Sequence, residues 1–435
     1  MRVSFCTLGC KVNQYDTETM MSLFAEAGWD IVDFGQECEV SVINSCTVTA
    51  TGDKKTRQMA SRARAFSPEG IVMVAGCGAQ KAAEAMLALP GVYVALGTKN
   101  RSIAPELAAR AWETREKINA VGDIMTERVF EELPAMTDGR TRATLKIQDG
   151  CNRFCSYCII PFARGPVRSR QPENVIKEVE RLASAGFSEF VLTGIHLASY
   201  GSDIGTDLIT MIEKVCAVEG VKRLRLGSLE PLILTDDFCA RCAAQQKLCR
   251  QFHVSLQSGC DSVLARMNRR YLTHEYARGV QALRKVMPHC AVTTDMIAGF
   301  PGETEEEHRQ TMEFVERIAF SRIHVFPYSR RPGTKAAQMP ELPKAVKNRR
   351  AAELIELGRR LEHAYIDAAL GSVQSVLLEQ EDEAGRMTGY TGTYIHTAVH
   401  GGEQGSIVNV RLLRREGETA IGEIVQDGVA GNGNV

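Results

Sequence analysis

No run of apolar residues in this 435-residue chain reaches the length of a membrane span, so a transmembrane helix is not expected. The opening MRVSFCTLGCKVNQYD lacks the basic-then-apolar layout of a secretory signal and reads as a first strand. Net charge is nearly absent, at −1, and no repeat or low-complexity tract of consequence interrupts the chain. This is the balance of an ordinary globular protein, long enough for two or three domains. A disulfide framework is also missing, although there are fourteen cysteines, because that inference needs a small secreted chain. In a reducing cytoplasm, the expected location, cysteines at motif spacing point to metal or catalysis.

Charge is uneven locally. DKKTRQMASRARA, from Asp53 to Ala65, sets five cations against one acid, and RGPVRSR, SRRPGTK and KAVKNRRAAELIELGRR are also basic. Basic runs close to cysteine and glycine motifs suggest an anionic partner.

The pattern along the chain divides it. In residues 1–130 the buried-strand runs VSFCTLG, VSVINS and GIVMVAG alternate with helical stretches, which argues for a parallel α/β sheet. The first crossover helix is expected over DTETMMSLFAEAG, with an Asp/Thr cap. Residues 131–142 read as a polar linker. Residues 143–366 hold six β/α units, with strands RATLKIQ, SEFVLTG, VKRLRLG, QFHVSLQ, AVTTDMIAG and RIHVFPY, fewer than the eight of a closed barrel. Residues 367–431 switch to antiparallel strands with glycine-rich turns, a small all-β barrel, and 432–435 form a flexible tail.

Cysteines fall where this pattern gives them meaning. Cys10, Cys46 and Cys77 each follow one of the first three strands. Carboxyl ends of parallel strands share one edge, so the three should converge. In the second unit CNRFCSYC places Cys151, Cys155 and Cys158 in a C-x3-C-x2-C pattern with no fourth ligand nearby. Structural zinc needs four ligands. A four-iron cluster held by three thiolates instead leaves one iron open for a substrate. CARCAAQQKLCRQFH (Cys239, Cys242, Cys249, His253) has zinc-like spacing but reads as a helix and a buried strand. His196, His253 and His324 stand at strand ends, where a structural role is expected.

The three-cysteine signature after the first strand of a partial barrel resembles the radical SAM superfamily. LGCKVNQYDTE, INSCTVT and AGCGAQ, with HVSLQSGCDSVLARMNRRY, TDMIAGFPGET and HVFPYSRRPGTKAA, are similar to the motifs of the methylthiotransferases over nearly the whole chain. The resemblance implies an N-terminal cluster domain, a (β/α)6 radical SAM core and a C-terminal TRAM barrel that binds RNA. GCKVNQ and LTGIHLASYG resemble the subgroup acting on threonylcarbamoyladenosine in tRNA, just 3′ of the anticodon; the other subgroups usually carry a different residue pair after GC.

That likeness implies two 4Fe-4S clusters, one on Cys10, Cys46 and Cys77 carrying sulfur, the other on Cys151, Cys155 and Cys158 cleaving S-adenosylmethionine to a radical. It assigns the S-adenosylmethionine pocket to Tyr157, Thr193, Gly194, Ser255, Gln257, Ile297 and Gly299, with Ser255 and Gln257 on the fourth core strand. RNA contacts are expected at Arg411, Arg414 and Arg415, with Tyr390 and Tyr394 as further candidates. Implied partners are the tRNA anticodon stem-loop and an electron donor such as flavodoxin or ferredoxin, with a monomeric chain. Alternatives are a methylthiotransferase for isopentenyladenosine or for a ribosomal protein aspartate, and a non-catalytic iron–sulfur RNA-binding protein.

Overall fold

The computed structural model describes residues 1–133, 135 and 141–425. The tail 432–435, residues 426–431 and half of the expected linker lie outside them.

The N-terminal unit runs β1 (Arg2–Thr7), α1 (Lys11–Glu26), β2 (Asp30–Val32), β3 (Val40–Ser45), α2 (Ala50–Phe66), β4 (Ile71–Gly76), α3 (Cys77–Leu87), β5 (Val92–Leu96), α4 (Ala104–Thr114) and β6 (Ile118–Asn119). Its strands form one parallel sheet in the order β2-β1-β3-β4-β5-β6. Every residue of β3 and β4 is buried, as strands covered on both faces require. The sheet has six strands where three were expected: β2 and β6 are only three and two residues long, too short to carry a pattern. A larger correction concerns α1, which begins five residues before the expected Asp16 cap, with Cys10 at its N-cap. Asp16 is buried inside the helix because its carboxylate is used by cations of the second unit.

The second unit runs β7 (Arg142–Asp149), α5 (Ile160–Arg164), β8 (Arg168–Ser169), α6 (Pro172–Ser184), β9 (Glu189–Gly194), α7 (Leu208–Ala217), β10 (Arg223–Leu226), α8 (Asp236–Ala244), β11 (Gln251–His253), α9 (Asp261–Arg266), α10 (Thr273–Val286), β12 (Ala291–Ala298), α11 (Glu305–Ile318), β13 (Arg322–Pro327) and α12 (Lys344–Ala369). β7, β9 and β10 pair in parallel, as do β11, β12 and β13. Bridges Leu224–Leu248 and Leu229–Val254 join the two sets into one open arc of six parallel strands. Along β7 the residues alternate. Ala143, Leu145 and Ile147 join Val175, Val179 and Leu182 of α6 in the main core. Arg142, Thr144, Lys146 and Gln148 take the opposite face, so the inside of the arc is polar.

The C-terminal strands β14 (Val373–Glu381), β15 (Met387–Thr391), β16 (His396–Val399), β17 (Ile407–Glu416) and β18 (Thr419–Ile424) close into a barrel in the order β14-β15-β16-β18-β17. It docks against the amino-terminal ends of the core strands: Arg225 donates to Thr391 O (2.6 Å) and Arg223 to Tyr390 O (3.2 Å). Among the described residues no helix is long and apolar enough to cross a membrane.

Candidate active site

Cys46 follows the last residue of β3, Cys77 opens α3 directly after β4, and Cys10 lies three residues past β1. β1, β3 and β4 are neighbours, so the three cysteines share one edge of the sheet. Gly9 (φ +106°) has no room for a side chain: a Cβ there would stand 2.9 Å from Cys46 Cβ. Asn13 stitches the loops, donating to Leu8 O (2.7 Å) and Ser45 O (3.0 Å).

Cys151, Cys155 and Cys158 occupy the loop between β7 and α5. Gly150 (φ +73°) lets this loop turn, since a Cβ there would meet Pro166 O at 1.8 Å. Arg153 N donates to Cys151 Sγ (3.4 Å) and Arg269 Nη1 to Cys155 Sγ (3.4 Å).

The sulfur chemistry of both sets fits iron–sulfur ligation. All six thiols are free. Burial pushes Cys77 and Cys151 up to about 11 and Cys158 up to about 12, and raises Cys46. Repulsion within each set adds to this: Cys10 and Cys46 act on Cys77, and Cys155 and Cys151 act on Cys158. Three crowded thiols that resist ionisation suit a cationic cluster, which binds thiolates and releases their protons. Among the described residues no group of three or more His, Cys, Asp or Glu side chains is placed to hold a metal ion.

Sequence reasoning missed the group that joins the two α/β units. Arg164, at the end of α5, is completely buried. Its Nε donates to Cys77 Sγ (3.1 Å), Nη2 to Asn13 Oδ1 (2.5 Å), and Nη1 to Asp16 Oδ2 (2.7 Å) and Asp149 Oδ2 (3.3 Å). Lys146 ion-pairs with Asp16 (2.8 Å) and Asp149 (2.5 Å), and Arg101 with Asp16 (3.3 Å) and Glu131. Burial alone would raise the Asp16 carboxyl, but Arg101, Lys146 and Arg164 outweigh it and hold it at about 2. On the opposite rim Arg331 donates to Thr47 Oγ1 (2.6 Å) and pairs with Asp53 (2.7 Å). The two α/β units are therefore held against each other by buried polar side chains.

The residues expected around S-adenosylmethionine stand at the carboxyl ends of the core strands. Thr193 and Gly194 end β9, and a Cβ on Gly194 would meet Gln148 Oε1 at 2.8 Å. Tyr157 packs edge-on to Phe300 (6.4 Å). Ile297 is in β12, and Gly299 (φ +68°) follows its end. Ser255 and Gln257 are corrected: β11 ends at His253, so both lie beyond the strand. Their backbone still tracks the neighbours, with Gln257 N donating to Asp295 O (2.9 Å), and Gln257 takes a left-handed turn (φ +71°). Beside Cys151, Arg153 pairs with Glu230, whose carboxylate is 3.4 Å from His196 Nε2.

The remaining candidates are engaged elsewhere. His253 Nδ1 lies 3.0 Å from Thr293 Oγ1, and His253 Nε2 lies 3.3 Å from Asp295. Cys239 and Cys242 are fully buried on α8 within the hydrophobic core, a packing role rather than a zinc site. Arg411, Arg414 and Arg415 pair with Glu423 (3.9 Å), Glu416 (2.7 Å) and Asp367 (2.7 Å). Tyr390 and Tyr394 stack on each other (4.5 Å) beneath Arg142 and Arg225, so they belong to the interface between core and barrel.

Residues 145–315 match the family model of the radical SAM superfamily, and residues 2–97 that of the uncharacterized protein family UPF0004. The chain is 44% identical to the threonylcarbamoyladenosine tRNA methylthiotransferase MtaB of Bacillus subtilis (strain 168), over 95% of this chain and 94% of that one. It is 34% identical to the tRNA-2-methylthio-N(6)-dimethylallyladenosine synthase of Moorella thermoacetica, over 96% of this chain and 97% of that one. Among solved structures, the radical S-adenosylmethionine methyltransferase TsrM from Kitasatospora setae shares the fold, with a TM-score of 0.59 at 17% identity over 77% of each chain. With relatives of this similarity along nearly its whole length, the chain belongs to the radical SAM methylthiotransferase family.

Proposed function

We propose that the protein is a tRNA methylthiotransferase that converts threonylcarbamoyladenosine beside the anticodon to its 2-methylthio derivative. The observation that carries this reading is a cysteine triad on each α/β unit, with Arg164 of the second unit reaching Cys77 and Asp16 of the first. The name of the Bacillus subtilis relative supports the nucleoside. Once bound, two iron–sulfur clusters and S-adenosylmethionine supply the radical and the sulfur. The chain's own part is positional. Cys10, Cys46 and Cys77 hold one cluster, and Cys151, Cys155 and Cys158 the other. Arg164, Asp16 and Asp149 set the spacing between the two loops. Tyr157, Thr193, Gly194, Ser255, Gln257, Ile297 and Gly299 shape the S-adenosylmethionine pocket.

The phosphate backbone is assigned to α2 in preference to Arg411, Arg414 and Arg415. Lys54, Lys55, Arg57 and Arg62 lie on that helix, with no carboxylate at ion-pair distance among the described residues. The first turn of α2 packs on the Cys46 loop, where a Cβ on Gly52 would stand 3.0 Å from Cys46 O. Unpaired cations beside the site are those free to displace counterions from RNA. A flavodoxin or ferredoxin would supply electrons, to a monomer in the cytoplasm.

The test is mass spectrometry of tRNA nucleosides from cells with and without the gene. Loss of 2-methylthio-threonylcarbamoyladenosine, with its precursor accumulating, is the expected result. Loss of the isopentenyl nucleoside instead would move the protein to the other tRNA subgroup, and no change would point to a protein substrate.

A further inference from the structure

CNRFCSYC carries two aromatic residues, and the fold sends them in opposite directions. Tyr157 turns inward and packs edge-on to Phe300 (6.4 Å). Phe154 turns outward and is 39% exposed. Its ring stands edge-on to that of Phe162 (5.5 Å, 71°), which is 38% exposed. Lys81 Nζ lies over the Phe162 ring, 5.5 Å from its centroid. Phe162 belongs to α5 and Lys81 to α3, two helices that pack on each other. Each follows the last cysteine of its triad by four residues, Phe162 after Cys158 and Lys81 after Cys77. The trio therefore stands on the side of the carboxyl strand ends and draws on both α/β units.

Packing does not explain this arrangement. Phe154 holds a left-handed backbone (φ +50°), strained for so bulky a side chain. Anchors from the end of α9 and the turn after it keep the loop in place. Asn268 Nδ2 donates to Phe154 O (2.9 Å), Ser156 N to Met267 O (2.9 Å) and Ser156 Oγ to Arg266 O (2.7 Å). A ring fixed in this way and left partly in water gains little from burial. Lys81 is exposed, with no carboxylate at ion-pair distance among the described residues, so its charge is open to an anion. Paired rings beside an unspent cation fit a nucleotide: the base offers a flat π face, and its phosphate meets the ammonium. Unpaired bases of RNA loops are splayed out onto aromatic side chains in this manner.

We propose that Phe154 is a stacking ring for an unpaired base of the anticodon loop next to the target nucleoside, braced by Phe162, while Lys81 meets the adjoining phosphate. The proposal rests on the tRNA methylthiotransferase reading. A protein electron carrier would need only the cysteine loop of the second unit. The trio draws on both units instead, as a substrate that must reach both cysteine triads requires.

The test uses the reconstituted holoenzyme and an anticodon stem-loop carrying threonylcarbamoyladenosine, with 5-iodouridine at either neighbouring position. Irradiation joins this probe to an aromatic ring stacked on it, and mass spectrometry of the parent protein should locate the junction at Phe154. Phe154→Leu keeps the apolar bulk and the same backbone cost but loses the π face, whereas Phe154→Trp keeps the face. At equal iron content, affinity should fall about tenfold in Phe154→Leu and be retained in Phe154→Trp. The slope of log affinity against log salt should stay parental in Phe154→Leu and shrink by about 0.7 in Lys81→Gln, a split that general loosening of the loop would not produce. A junction elsewhere, with parental affinity in Phe154→Leu, overturns the proposal alone. So does intact RNA affinity with slower reduction by flavodoxin but not by dithionite, because the rings would then serve the reductant. A parent protein that neither binds nor modifies the stem-loop overturns both the proposal and the tRNA reading beneath it.

Discussion

Arg164 Nε lies 3.1 Å from Cys77 Sγ, so a side chain six residues beyond the last cysteine of one triad touches a cysteine of the other. The same guanidinium reaches Asp16 and Asp149, which makes it the common partner of both loops. Replacing it by Met takes one cation from two buried carboxylates that still keep Lys146. Leaving a buried charge wholly unpaired costs about 3–5 kcal/mol, so Arg164→Met should weaken the fold against denaturant by less than that amount and lower the iron bound per chain. Arg164→Lys keeps the charge but cannot span three partners, and should fall between. Parent-like stability in Arg164→Met would remove the network from any role in holding the two units together.

The two triads should separate in assay. Cys151→Ala should abolish both formation of 5′-deoxyadenosine and methylthiolation. Cys10→Ala should abolish methylthiolation while 5′-deoxyadenosine still forms under reducing conditions. Chromatography of the small-molecule products, alongside iron analysis, checks both. Equal loss of 5′-deoxyadenosine in the two variants would contradict the division of labour.

Salt dependence should locate the RNA. Changing Lys54, Lys55, Arg57 and Arg62 together to Gln should flatten the plot of log affinity against log salt. The slope should drop by about 0.7–0.9 for each phosphate that the protein no longer neutralises, with little effect on stability because none of the four side chains is buried. The same change at Arg411, Arg414 and Arg415 should alter the slope less, since their charges are already opposed by Glu423, Glu416 and Asp367.

His308 should give folding a pH dependence. Burial alone would lower its pKa, but Glu303 and Glu353 on either side outweigh burial and raise it above 6.5. A folded-state pKa above the unfolded one means more protons bound when folded. The contribution is therefore complete below about pH 6.5 and declines as pH rises through the raised value. Melting temperatures of the parent and His308→Gln should converge as pH rises through that window. A gap that stays constant would exclude the charged pair as its source.

Much of this architecture was legible from residue order. VSVINS is β3 residue for residue, and the apolar alternation of β7 was readable because side-chain direction in a strand has a period of two. Phase alone brought Cys10, Cys46 and Cys77 to one edge of the sheet. The start of α1 was misplaced because Asp16 looks locally like a cap, while its partners Arg164 and Lys146 are 148 and 130 residues away. No local pattern encodes such a pair.

The sequence by itself determined the strand and helix periods, the three-fold cysteine spacing that leaves a ligand position open, and the class of chemistry those thiols serve. Each depends on neighbours along the chain, where geometry is set by the backbone. Only the tertiary structure decided which charges are spent and which remain available. It neutralised Arg411, Arg414, Arg415 and Arg164 with carboxylates that packing brings to them, and left Lys54, Lys55, Arg57 and Arg62 of α2 with none at ion-pair distance among the described residues. An ion pair forms wherever packing places opposite charges within a few ångströms, and that distance is a property of the folded arrangement.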